Sequence, residues 1–184
     1  RTDCARPSNR LVSPPMRLLG ARVPGIAARM VQALTGAGAI ECESPGEVQK
    51  DLESILNQYI RDEREATEHA KDLLASRNLP PTELPRLRKL AAEQRSIRIG
   101  DEAIDYLLDQ LVEILMHSTN VDEVFAEDFE LRRLLRDPLR SEEVEEEKLQ
   151  AEVRGQLRHV KEGTALWEVE YRRMMEEIRR RKGL

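Results

Sequence analysis

Residues 25–95 and 103–182 of this chain carry the same order of apolar side chains at an offset of about 82 residues. In the first stretch Met30, Val31, Leu34 and Ile40 precede acidic residues. In the second, Leu111, Val112, Leu115 and Val121 stand in that order, again before acidic residues. Further on, Leu74 and Leu84 match Leu157 and Trp167 across similar polar gaps. A repeated unit must bury the apolar face it leaves open, and the other copy is its nearest partner. The expectation is two units, 16–99 and 100–184, joined with pseudo-two-fold symmetry in one globular domain.

The side chains decide what the units are made of. Charged residues make up 35 % of the 184, aromatics only 3 %, and the formal net charge is −5. A charge-rich, aromatic-poor set of Leu, Ile, Val and Ala favours helices over a β-sandwich. It also makes non-specific nucleic-acid binding an unexpected activity. Two cysteines, Cys4 and Cys42, are too few for a disulfide framework. No apolar run reaches the roughly 18–20 residues that span a bilayer, so a cytoplasmic protein with no membrane contact is expected. Residues 1–15, rich in Arg and Pro before the first methionine at Met16, read as a disordered or non-native leader.

Apolar spacing places about seven helices. One begins near Pro24 with Ile26, Ala27, Met30, Val31 and Leu34 on one face, and Gly36 and Gly38 stop it. Ser44-Pro45-Gly46-Glu47 forms a capping box that opens one long helix near 45–76. A third helix carries Leu84, Leu87, Leu90 and Ala91. Asp101 caps the most apolar segment, Ile104 to Met116, expected to be the central core helix. A stripe of Val124, Phe125, Phe129, Leu131, Leu134 and Leu135 follows. Pro138 is expected to break it, with Ser141 capping a separate helix through Leu157. Gly163-Thr164 turns the chain into a last helix with Trp167, Tyr171, Met174 and Ile178, ending on Arg179-Arg180-Arg181-Lys182.

The segment Glu162-Gly163-Thr164-Ala165-Leu166-Trp167-Glu168-Val169-Glu170-Tyr171, with Met174 to Arg180 after it, resembles the C-terminal signature of a bacterial family called domain of unknown function 507. Ile99-Gly100-Asp101-Glu102-Ala103 and Ala126-Glu127-Asp128 resemble stretches of its longer, two-copy members. The resemblance covers roughly residues 16–184. It implies a small helical cytoplasmic protein and carries no activity, substrate or functional residue.

The residues themselves name no catalytic, cofactor-binding or metal-ligating group. His69, His117 and His159 lack a glutamate three positions earlier, the pattern a di-iron bundle needs. The pairs Glu65/His69 and Glu113/His117 read as surface contacts of a helix. There is no Cys-x-x-Cys, P-loop or nucleophile elbow. The run Glu142 to Glu147 reads as a solvated helix face, since catalytic carboxylates need contrasting environments. What remains is a candidate interaction surface: Trp167 and Tyr171, one turn apart, and the cations Arg179, Arg180, Arg181 and Lys182. The pair packs in the core or anchors a partner, as interfaces favour Trp, Tyr and Arg. The expected function is that of a non-enzymatic structural or adaptor protein with a protein partner, its surface on the second unit or along the seam. RNA or ribosome association through the basic tail is the alternative.

Overall fold

The computed structural model describes residues 18–162 and 164–182; the leader lies outside them. The chain folds as α1 (Val23–Gly36), β1 (Ile40–Glu41), α2 (Pro45–Ser76), α3 (Leu84–Gln94), α4 (Ala103–His117), β2 (Glu123–Val124), α5 (Asp128–Gln156) and α6 (Ala165–Lys182). The order helix, two-residue strand, long helix, helix occurs twice. The expected all-α architecture is the one found, with the long helix at 45–76.

Four helices form a ring. α1 packs against α2 and α5, and α4 packs against the same two from the other side. The ring encloses an aliphatic core of Met30, Leu34, Leu52, Leu56, Leu107, Leu111, Leu131 and Leu135, among others. α4 is the buried helix that its composition predicts, with Leu107, Leu108 and Leu111 fully enclosed. Only the first halves of α2 and α5 belong to this ring. Their second halves run on as two arms, each backed by one more helix. α3 covers Ala66 and Ala70 of α2 with Leu87 and Ala91, and α6 covers Leu149, Val153 and Leu157 of α5 with Met175 and Ile178.

At the end of the ring away from the arms, β1 and β2 pair antiparallel. Ile40 faces Val124 and Glu41 faces Glu123, so exchanging the strands leaves the ribbon unchanged. The Phe125 amide donates to Ala39 (3.0 Å) and the Asp122 amide to Glu41 (2.9 Å), extending the ribbon at both ends. Asp51 of α2 accepts from Ser118 (2.5 Å) and Asn120 (2.9 Å), which ties the polar turn after α4 to the neighbouring helix.

Several local expectations are corrected. Pro138 lies inside α5, so the two helices expected there are one of 29 residues. Leu135 and Leu139 are buried on either side of the proline, and that packing offsets the missing hydrogen bond so that the helix continues. Ser44 makes no side-chain cap; Pro45 still starts α2, and Glu47 turns to Lys50 (2.6 Å) instead of reaching back. A 3-10 turn over Gly100–Glu102 takes the place of an Asp101 cap. Phe125 and Phe129 do not join the core stripe. β2 ends at Val124 and α5 starts only at Asp128, so Phe125 lies ahead of the helix and Phe129 in its first turn, and both rings are exposed. Glu142 is not part of a solvated face. It is 8 % exposed and held by Arg22 (2.9 Å) and Arg29 of the α1 region. A run of glutamates spans more than one helical turn, so one member has to face the neighbouring helix while Glu145, on another side, pairs with Lys148.

Candidate functional site

Thr164 starts α6. Its hydroxyl accepts from the Trp167 amide (3.2 Å) and its carbonyl from the Glu168 amide (3.0 Å), satisfying donors that a helix start leaves open. That start fixes the phase of the helix. Trp167 and Tyr171 then fall on one side and stack, with ring centroids 4.7 Å apart and planes 24° from parallel. With Met174 they lean on Leu149, Val153 and Leu157 of α5. Both rings are half-buried, so the pair is neither wholly core nor wholly surface.

Their outer sides line a cleft between the two arms with a volume of about 670 Å³. The facing wall comes from the polar stretch of α2 between Ile60 and Lys71 and from Arg88 of α3. Gln150 and Arg154 of α5, Arg179 of α6, and Leu18 and Leu19 at the start of the described chain complete it. The walls are charged and internally paired. Arg88 donates to Thr67 (3.1 Å) and Glu63 (3.3 Å), Lys71 to Glu68 (2.8 Å), and Arg154 lies 3.8 Å from Glu162. The cleft therefore offers two half-covered aromatic rings inside a frame of alternating charges. Its size lies in the range of sites that enclose a small molecule or one side of a peptide.

The six side chains singled out in the sequence separate into groups. Trp167, Tyr171 and Arg179 meet at the cleft. Arg181 (3.4 Å) and Lys182 (2.6 Å) turn to Glu152 on α5. The hydrogen bond from Lys182 holds the Glu152 carboxyl below the usual carboxylate range, against a smaller desolvation effect. Arg180 is exposed. The basic run is thus not one cationic patch but three differently directed pieces. Arg88, Thr67 and Glu63 of the opposite wall have no signal in the sequence, because nothing in α2 or α3 says which helix they will face.

The acid and histidine pairs considered above have other partners. Glu65 binds Arg95 (2.6 Å), and the His117 ring meets the Glu113 carbonyl oxygen (2.8 Å) rather than its carboxylate. Among the described residues no group of three or more His, Cys, Asp or Glu side chains is placed to hold a metal ion, and no helix is long and apolar enough to cross a membrane.

Fold and cleft together define a class: an all-α protein with a four-helix ring carrying two helical arms around a charged, aromatic-sided groove. The chain belongs to the family described as protein of unknown function DUF507, whose profile matches residues 16–184. No curated protein sequence matches it.

Proposed function

We propose that this is a non-enzymatic adaptor or structural protein of the cytoplasm that takes part of another macromolecule between its two arms. The observation that supports this most is the position of Trp167 and Tyr171. They are half-buried at the wall of a cleft of about 670 Å³ instead of being closed into the α5–α6 contact. Large aromatic side chains at the wall of a groove, framed by arginines, are the composition of binding anchors. The recurring order of elements supports a duplication, and the cleft lies where one copy's long helix faces the other copy's last helix.

The test is a photo-crosslinking residue placed at position 171 and, as a control, at the exposed position Arg77. The expected result is one adduct that forms from position 171 and not from position 77, and that is lost in Trp167→Ala. Adducts that are the same from both positions, or none at all, would overturn the reading. A nuclease-sensitive adduct would assign the macromolecule as RNA. Its yield would then fall steeply with added salt.

A further inference from the structure

The ring end that carries the ribbon has an unusual charge distribution. No Lys or Arg occurs in residues 30–49 or in residues 99–131. The pairing of β1 with β2 brings the two stretches together. Glu41, Glu43, Asp122, Glu123 and Glu127 are exposed there, and among the described residues none of the five pairs with a Lys or Arg. The acids with a structural partner are others: Asp128 and Asp109 share Arg132 (both 2.5 Å), and Asp51 holds the turn after α4. Phe125 and Phe129, the only two phenylalanines of the chain, stand among these carboxylates and are 57 % and 73 % exposed. Met116, in the last turn of α4 at the same end, is exposed too.

Single exposed apolar side chains need no explanation. Here, however, both phenylalanines stand outside the main core, and the segment that presents them is tied down by the ribbon hydrogen bonds to Ala39. Fixed aromatic rings are low-entropy anchors, and a field of one sign selects the opposite charge. We infer that the ribbon end docks a basic amphipathic helix of a partner protein, its apolar face on Phe125 and Phe129 and its Lys or Arg side chains among Glu41, Glu43, Asp122, Glu123 and Glu127. This rests on the reading of the chain as a macromolecule-binding protein and adds the partner's chemistry, at a surface separate from the cleft.

The probe is a fluorescein-labelled Leu/Lys amphipathic helix of about 18 residues, long enough to lie across the end of a small helical bundle. Two controls accompany it, one with each Lys replaced by Glu and one with each Leu replaced by Ser. Fluorescence anisotropy is read on the full chain and its variants. Binding is expected for the Leu/Lys peptide alone. It should weaken about tenfold or more in the double variant Phe125→Ser, Phe129→Ser and in the triple variant Asp122→Asn, Glu123→Gln, Glu127→Gln, and remain in Trp167→Ala. Both sets lie on the surface, so thermal melting should leave their Tm near the parent value. No binding of the Leu/Lys peptide, equal binding by the Leu-to-Ser control, or indifference to the phenylalanine variant would overturn the inference. A concentration-dependent dimer in ultracentrifugation that the phenylalanine variant abolishes would assign the surface to a second copy instead. A failed peptide test beside an intact adduct from position 171 would sink only this inference. The reverse combination would sink only the cleft reading.

Discussion

Tyr59 shows how a single side chain can be buried at a cost. Its ring is 3 % exposed and packs 6.2 Å from that of Tyr106 at a 42° tilt, yet its hydroxyl has no hydrogen-bond partner among the described residues. Loss of hydration, reinforced by nearby Glu63, pushes the phenol well above its ordinary pKa. Tyr59→Phe keeps the ring contact and removes the unsatisfied oxygen, so it is expected to be neutral or to stabilise by up to about 1 kcal/mol. The sign of the pH effect follows from the raised value. Tyrosine ionises in the unfolded chain first, so its contribution is intact below the unfolded pKa and is lost as pH rises above it. Urea titrations at neutral and alkaline pH should show a smaller alkaline loss for Tyr59→Phe than for the parent. A different kind of strain sits at Ser96, where φ is +58° and the Ile97 amide donates back to Ala92 (3.1 Å). The left-handed turn closes α3 without glycine. Ser96→Val should cost about 1–2 kcal/mol while Ser96→Gly should not destabilise; equal effects in chemical denaturation would remove the backbone explanation.

At the scale of elements, the two long helices differ in how they are held. α2 contains no proline after its first turn, whereas α5 runs through Pro138. The missing amide leaves the Leu134 carbonyl without its helical donor, and the packing of Leu131, Leu135 and Leu139 offsets that loss. Pro138→Ala should therefore stabilise the protein by about 1–3 kcal/mol, read from its denaturation midpoint. A destabilised variant would mean that the proline sets a bend the packing needs. The end of α6 is held by charge rather than by apolar burial, through Arg181 and Lys182 on Glu152. The lowered Glu152 carboxyl contributes above the ordinary carboxylate pKa, and the contribution is lost as pH falls through the lowered value. Protection of the amides in the last turn of α6, taken relative to their intrinsic exchange rates, should fall once the pH drops below the ordinary carboxylate pKa, and Glu152→Gln should reproduce that loss at neutral pH. Helix existence and phase were readable in the apolar spacing of Leu107, Leu108 and Leu111 or of Val48, Leu52 and Leu56. The passage through Pro138 was not, because it depends on neighbours remote in sequence.

At the scale of the whole molecule, one ring core supports two arms with small cores of their own. Leu111→Ala removes a side chain from the centre of the ring and should cost about 3–4 kcal/mol, with loss of cooperative structure throughout. Ile178→Ala empties the α5–α6 contact, and its exchange effects should stay within that arm. If both variants lowered protection equally everywhere, arms and ring would be one cooperative unit. The sequence alone determined the helical class, the order of the helices, the buried α4 and the recurrence of the apolar pattern. These follow from local spacing, which each stretch of chain carries in itself. It also singled out Trp167, Tyr171 and Arg179, though not what they face. Tertiary structure decided that Glu142 is buried between two arginines, that the basic tail is divided by Glu152, and that both phenylalanines stand outside the core. It also decided that α2 and α3 supply the far wall of the cleft. Each of these depends on which surfaces meet across a large separation in sequence, and a pattern of residues along one helix does not specify the helix that will lie opposite.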